Sequence, residues 1–167
     1  MLYANISALV SQYQILDASL KEATKEFKIH FFSEMVDKFN SISASDKYLE
    51  DVYSDLLHAY WAYGESVKEL IEEYLFLEPR AYDFYKGEWF KSALQVEKIQ
   101  EEMDRVFDSI LIEYKKKVRE EFEKIQVDLK LIQALNGDCE SLLKRKKALE
   151  EELRNPRITK RELLAKC

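Results

Sequence analysis

The side chains that could do chemistry are few. His30 and His58 are the only histidines, and Cys139 and Cys167 the only cysteines. Glu26 and Glu34 flank His30 at one turn, and Asp55 precedes His58 by three positions. A di-iron bundle needs two Glu-x-x-His motifs and two further inward glutamates. The chain offers one imperfect Asp-x-x-His, so both histidines read as surface or seam residues. Cys139 has no histidine near it in sequence and no motif that marks a nucleophile. With 3 glycines there is no Gly-rich phosphate loop. Carboxylates are plentiful, but on charged helix faces they serve solvation. The expectation is a protein that is not an enzyme and uses no cofactor or metal.

The composition is helical, with only 3 Gly and 2 Pro among 167 residues, a one-domain length. Apolar residues at 47%, charged at 35% and aromatics at 13% fit amphipathic helices rather than a disordered chain. A net charge of −6 argues against a nucleic-acid partner, which demands a basic surplus. Two cysteines form no disulfide framework, so a reduced, cytosolic setting is expected. Met1 runs directly into helical pattern with no signal peptide, and no window reaches about 18 uncharged apolar residues. A soluble intracellular protein, able to lie on a membrane, is the expectation.

The strongest periodicity lies in Tyr48–Tyr85, where Leu49, Tyr53, Leu56, Tyr60, Tyr63, Val67, Leu70, Tyr74, Leu77, Ala81 and Phe84 alternate steps of four and three. This is the seam of a helix wound against others, about 55 Å long if continuous. Gly64, flanked by Ala59 and Ala62, costs about 1 kcal/mol relative to Ala inside a helix. Together with Tyr60 and Trp61 it marks a helix crossing, either between subunits or within one. Pro79 predicts a kink, and Lys86-Gly87-Glu88 a turn in which glycine closes the helix.

A first helix precedes this stretch, with Leu2, Ile6, Leu9, Tyr13, Leu16, Leu20, Ala23 and Phe27 in register. Phe31, Met35 and Phe39 then step by four, so a bend or change of neighbours is expected near Phe31. Because the pattern starts at residue 2 without a cap, further helix or another domain is expected before it in a longer protein. Ser41–Asp46 is a capping break short enough to make the first two helices antiparallel. A third helix runs from Glu88 or Trp89 to Leu135, about 70 Å if continuous. Asn136-Gly137-Asp138 ends or kinks it, as a C-cap or a turn. Leu142, Leu149 and Leu153 form a thinner stripe before Asn155-Pro156, and Thr159–Glu162 is a capping box for a last short helix.

A globular domain of this length has a radius of gyration of about 15 Å, too small for such helices. Adjacent apolar pairs such as Phe31-Phe32, Tyr60-Trp61, Leu75-Phe76 and Trp89-Phe90 exceed what one seam needs. The expected fold is therefore all-α: three long kinked antiparallel helices forming an elongated coiled-coil-like dimer over residues 1–153, with a tail helix over 154–167. The basic runs are Lys115-Lys116-Lys117-Val118-Arg119 and Lys144-Arg145-Lys146-Lys147. From Asp138 onward nine basic residues face six acidic ones. These runs read either as lipid-attracting patches or as solvated helix faces balanced by Glu120, Glu121 and Glu123. Arg80, Lys86 and Lys91 bracket the turn after the second helix.

Three stretches carry a family likeness. They are Phe31-Phe32-Ser-Glu-Met-Val-Asp-Lys-Phe39 with Leu49…Leu56-Leu57, Ser66-Val-Lys-Glu-Leu70 with Arg80-Ala-Tyr-Asp-Phe-Tyr85, and Asp108…Glu113-Tyr-Lys-Lys-Lys-Val-Arg-Glu-Glu-Phe122-Glu-Lys124. The chain resembles the BAR domains, sorting-nexin type. That resemblance implies a crescent-shaped homodimer, or a heterodimer with a related helical protein, lying in the cytoplasm on anionic, curved endosomal membrane. It places Arg80, Lys86 and Lys91 at the tips and Lys115, Lys116, Lys117 and Arg119 on the concave face. The chain is shorter than a usual BAR domain and has no PX domain. A coiled-coil scaffold or tether that binds protein partners without a lipid role is the alternative.

Overall fold

The structure, a computed structural model, describes residues 4–62, 67–154 and 160–165. They form seven helices and, among the described residues, no strand: α1 (Ala4–Ser41), α2 (Lys47–Ala62), α3 (Val67–Leu75), α4 (Pro79–Phe84), α5 (Glu88–Ala134), α6 (Glu140–Arg154) and α7 (Lys160–Ala165). The all-α expectation holds. The chain divides into two compact units, a central one of Ile15–Met103 and a terminal one of Met1–Gln14 with Asp104–Cys167.

In the central unit, α1 and α2 are antiparallel: Phe39 stacks on Tyr53 while Phe32 meets Trp61 at the other end. The α1–α2 connection is capped as its serines and aspartate suggest. Leu49 N–H donates to Asp46 Oδ1 at 3.3 Å and Ser41 Oγ to the Lys38 carbonyl at 2.7 Å. The core is aromatic. Phe31 lies 5.4 Å from Trp89 and 5.5 Å from both Tyr60 and Phe27, and Tyr74 lies 4.8 Å from Trp89. Stacked, tilted and edge-to-face rings of this kind add about 0.5–1.5 kcal/mol per pair beyond the area they bury. The steps of four at Phe27, Phe31 and Met35 leave α1 unbroken; they put Phe31 between Tyr60 of α2 and Trp89 of α5.

The heptad of Tyr48–Tyr85 does not fold as one kinked helix. Residues 63–66, and with them Gly64, lie outside the described residues; beyond them α3 ends at Leu75 and α4 begins at Pro79. Pro79 has no N–H to continue the ladder and forces Glu78 into extended backbone (φ −60°, ψ 152°), so it sits where a helix can start, at the first turn of α4. Apolar spacing survives the break because Leu56, Tyr60, Leu70, Tyr74 and Ala81 all face one core. Periodicity reports facing, not continuity.

In the terminal unit, Ile6, Val10 and Tyr13 of α1 and Val106, Ile110, Tyr114 and Val118 of α5 are all buried. The rings of Tyr13 and Phe107 are 6.4 Å apart, and Lys160 Nζ of α7 sits 4.8 and 4.9 Å from them. Thr159, Asn155 and Pro156 lie outside the described residues. α6 returns antiparallel to α5, with Arg145 bonded to Glu121 and Tyr114 Oη to Glu152 Oε1 at 3.0 Å. The turn between them is a C-cap: Asn136 is left-handed (φ 56°), its N–H donates to the Gln133 carbonyl, and Gly137 N–H reaches back to the Ile132 carbonyl at 2.9 Å. That is the Schellman pattern, with Asn136 rather than the glycine in the left-handed position.

Gly137 is required by proximity, because a Cβ there would lie 2.8 Å from Ile132 Cγ2. Gly137→Ala is expected to destabilise by about 1–2 kcal/mol as an overpacking change. In an Ile132→Ala background the cost should shrink. Urea unfolding of the four proteins checks this; an unchanged cost in the background variant would disprove the close contact as its cause.

Candidate functional site

The 47 residues of α5 start at Glu88, immediately after Gly87, with none of the usual capping side chains ahead of them. Its first N–H groups are satisfied from another helix. Glu34 of α1 presents both carboxylate oxygens, accepting from Glu88 N–H at 2.9 Å and Trp89 N–H at 2.8 Å. A negative charge at the positive end of a helix, held by two charge-assisted bonds, is stabilising. Gly87 makes this approach possible, since a Cβ would stand 2.7 Å from Glu34 Oε2. The glycine therefore admits the carboxylate and is not a left-handed helix end. Behind the cap, Trp89 is fully buried and donates its indole N–H to the Tyr85 carbonyl at 2.8 Å, and Tyr85 Oη donates to the Leu49 carbonyl.

Around this junction stand the first candidate cations. Arg80 is paired with Asp46 and lies over the Tyr48 ring, and Lys91 pairs with Glu88 at 3.5 Å. Lys86 is exposed. The other candidates belong to the terminal unit. At about 100° per residue, Lys116 and Arg119 stand opposite the buried face of Tyr114 and Val118, with Lys115 at their edge. All three are exposed, and among the described residues none makes an ion pair. Lys117 lies on the other flank, half-buried and 3.6 Å from Glu120. Ile112 and Val127 are exposed on the same outward face, where Glu123 is also found. Of the seven sequence-derived cations, Lys86 is exposed, and the other six divide evenly. Three lie on α5 unpaired, and three are engaged by carboxylates.

Charge follows the same division. The terminal unit has 16 basic and 13 acidic residues, the central unit 10 and 19. Of the candidate crossing residues, Tyr60 belongs to the internal aromatic cluster, while Trp61 is 57% exposed.

His30 lies 3.9 Å from Glu26 and, with Lys91 and Gln95, lines a shallow hollow of about 230 Å³. Two hollows along α5–α6 measure about 260 and 250 Å³. All three fall below the roughly 300 Å³ at which small-molecule pockets begin. Among the described residues no group of three or more His, Cys, Asp or Glu could hold a metal, and no helix is long and apolar enough to cross a membrane. No protein-family model, curated protein or solved structure matches the chain.

Two features escaped the sequence reading. The Glu34 cap leaves one trace there, a long helix beginning after glycine without its own N-cap. Leu75 and Phe76 were visible as an apolar pair, but nothing local showed that Phe76 would be 88% exposed at the end of α3.

Glu34→Ala is expected to lower stability by about 1–2 kcal/mol, the range of a lost N-cap carboxylate. Glu34→Gln, which keeps one acceptor, should fall between, and thermal unfolding reads both. Burial raises the pKa of the Tyr74 and Tyr85 hydroxyls above the usual tyrosine value of 10; neighbouring Tyr82 adds to it for Tyr74, and Tyr53 for Tyr85. A raised folded-state value means stability is intact below pH 10 and falls as pH rises above it, because the unfolded chain ionises first. Denaturant midpoints measured from pH 8 to 11 should decline above 10, and less steeply in Tyr74→Phe.

Proposed function

We propose that the chain is a helical dimerisation module that lies on an anionic membrane surface and senses its curvature. The observation that carries this reading is the outward face of α5 in the terminal unit. There Lys115, Lys116 and Arg119 are exposed without ion pairs, between exposed Ile112 and Val127. Cations interleaved with apolar side chains suit the lipid headgroup region. Each cation contributes about 1 kcal/mol near an acidic leaflet, and the apolar residues add shallow burial. Arg80 and Lys91, engaged by Asp46 and Glu88, have less to offer a phosphate. The long antiparallel helices α1 and α5 agree with the resemblance to sorting-nexin BAR domains. In that setting the partner is a homodimer mate or a related helical protein, and the membrane is the cytoplasmic face of endosomes.

A second reading, a scaffold that binds protein partners without a lipid role, is favoured by Phe76. It projects beside Leu75 among Glu72, Glu73 and Glu78, where an acidic membrane would be repelled.

Cosedimentation with vesicles of phosphatidylcholine and phosphatidylserine separates the two. The expected outcome is salt-sensitive binding that falls at least tenfold in Lys115→Glu/Lys116→Glu/Arg119→Glu and stays within about twofold of wild type in Arg80→Ala. Absence of binding by wild type at low salt, or a triple variant that binds normally, defeats the membrane reading.

A further inference from the structure

α1 carries apolar residues on two opposite faces. One holds Phe27, Phe31 and Met35 in the core of the central unit. The other runs along the solvent side with heptad steps of its own: Ile15, Ala18, Glu22, Lys25, Ile29 and Phe32, continuing to Val36. Ile15 is 68% and Ile29 61% exposed, Val36 is half-exposed, and Ala18, Glu22 and Lys25 are exposed. Phe32 is half-buried and touches Trp61 at 5.9 Å, so the exposed indole widens this stripe. A row at steps of three and four, left exposed by its own chain, has the spacing of a coiled-coil seam.

The charges in the stripe identify the partner and its direction. Glu22 and Lys25 stand at its middle, opposite in sign, and among the described residues neither makes an ion pair. In a parallel pairing of two α1 helices, Glu22 would meet Glu22 and Lys25 would meet Lys25. In an antiparallel pairing about a two-fold axis between them, each Glu22 meets the other copy's Lys25, twice over. The same register sets Ala18 against Ile29 and Ile15 against Phe32, so a small residue faces a large one beside the charged layers. Sliding the pairing by one heptad either way puts Glu22 against Ala18 or Phe32 and Lys25 against Ile15 or Ile29, leaving both charges unpaired. We infer that α1 of a second copy of this chain docks antiparallel on this stripe, with reciprocal Glu22–Lys25 pairs at the two-fold axis. The inference rests on the dimer part of the proposed function and gives it a face, a direction and a register.

Two experiments on the full chain test it. Glu22→Lys and Lys25→Glu each turn both charged layers into like pairs and should raise the dimer dissociation constant about 10- to 100-fold in sedimentation equilibrium. The double variant E22K/K25E restores opposite signs and should return it to within a few-fold of wild type. In a Cys139→Ser/Cys167→Ser background, A18C/I29C should form a disulfide-linked dimer under mild oxidation, while A18C alone and I29C alone should not. Cross-linking by either single variant, or a dimer indifferent to the charge reversals, overturns this seam. A wild-type protein that stays monomeric at all concentrations overturns it together with the dimer. Vesicle cosedimentation of the same proteins is a separate readout. Lipid binding lost with the dimer and its cross-link intact defeats the membrane reading and supports the seam.

Discussion

A 47-residue helix begins with backbone N–H groups that its own turns cannot satisfy. In α5 two of these are taken by one carboxylate from 54 residues earlier in the chain, at 2.9 and 2.8 Å. Much of the central unit is arranged around that contact. Gly87 leaves room for Glu34, and Trp89, whose N–H is one of the two bound, drops into the core against Phe31 and Tyr74. Tyr85, one turn before Trp89, accepts the indole N–H and reaches α2 through its own hydroxyl. One carboxylate thus satisfies the start of α5 and ties it to α1 within the central unit.

The outward residues are where function is to be sought, because the interior is spent on packing. The largest fully buried side chains are aromatic and aliphatic, three of the hollows between helices hold only about 230–260 Å³, and the larger one of about 450 Å³ beside Ala18, Glu22, Gln95 and Ile99 is an open trough. What remains for recognition is surface. It is divided, with a basic surplus in the terminal unit and a strong acidic one in the central unit. A membrane-facing α5 and a self-pairing α1 make different demands of that surface. The first needs uncompensated positive charge among shallow apolar residues. The second needs an apolar row whose few charges cancel across a symmetry axis.

Several elements were legible from local pattern because their causes are local. The limits of α5 followed from Lys86-Gly87-Glu88 and Asn136-Gly137-Asp138, and the α1–α2 break from Ser41–Asp46. Turn and cap chemistry depends on neighbours in sequence. The Tyr48–Tyr85 heptad misled about continuity, since α3 and α4 each turn the same phase of residues to one core across Pro79. Glu34 looked like one more helix-surface carboxylate beside His30. Its role depends on a helix terminus far away in sequence, and no local rule could supply that.

By itself the sequence determined that this protein is helical, where its two long helices run, and which residues of each can face a core. Backbone propensity, caps and apolar period act over a few residues and are written into them. Only the tertiary structure decided which charges are spent. It set Arg80 against Asp46 and Glu34 against the start of α5, and it left Lys115, Lys116, Arg119, Glu22 and Lys25 without ion pairs. The reason is physical: whether a charge is available to a partner depends on what lies within about 4 Å of it; Arg80 and Glu34 meet partners far away in sequence, while Lys91 and Lys117 meet theirs one turn away in α5.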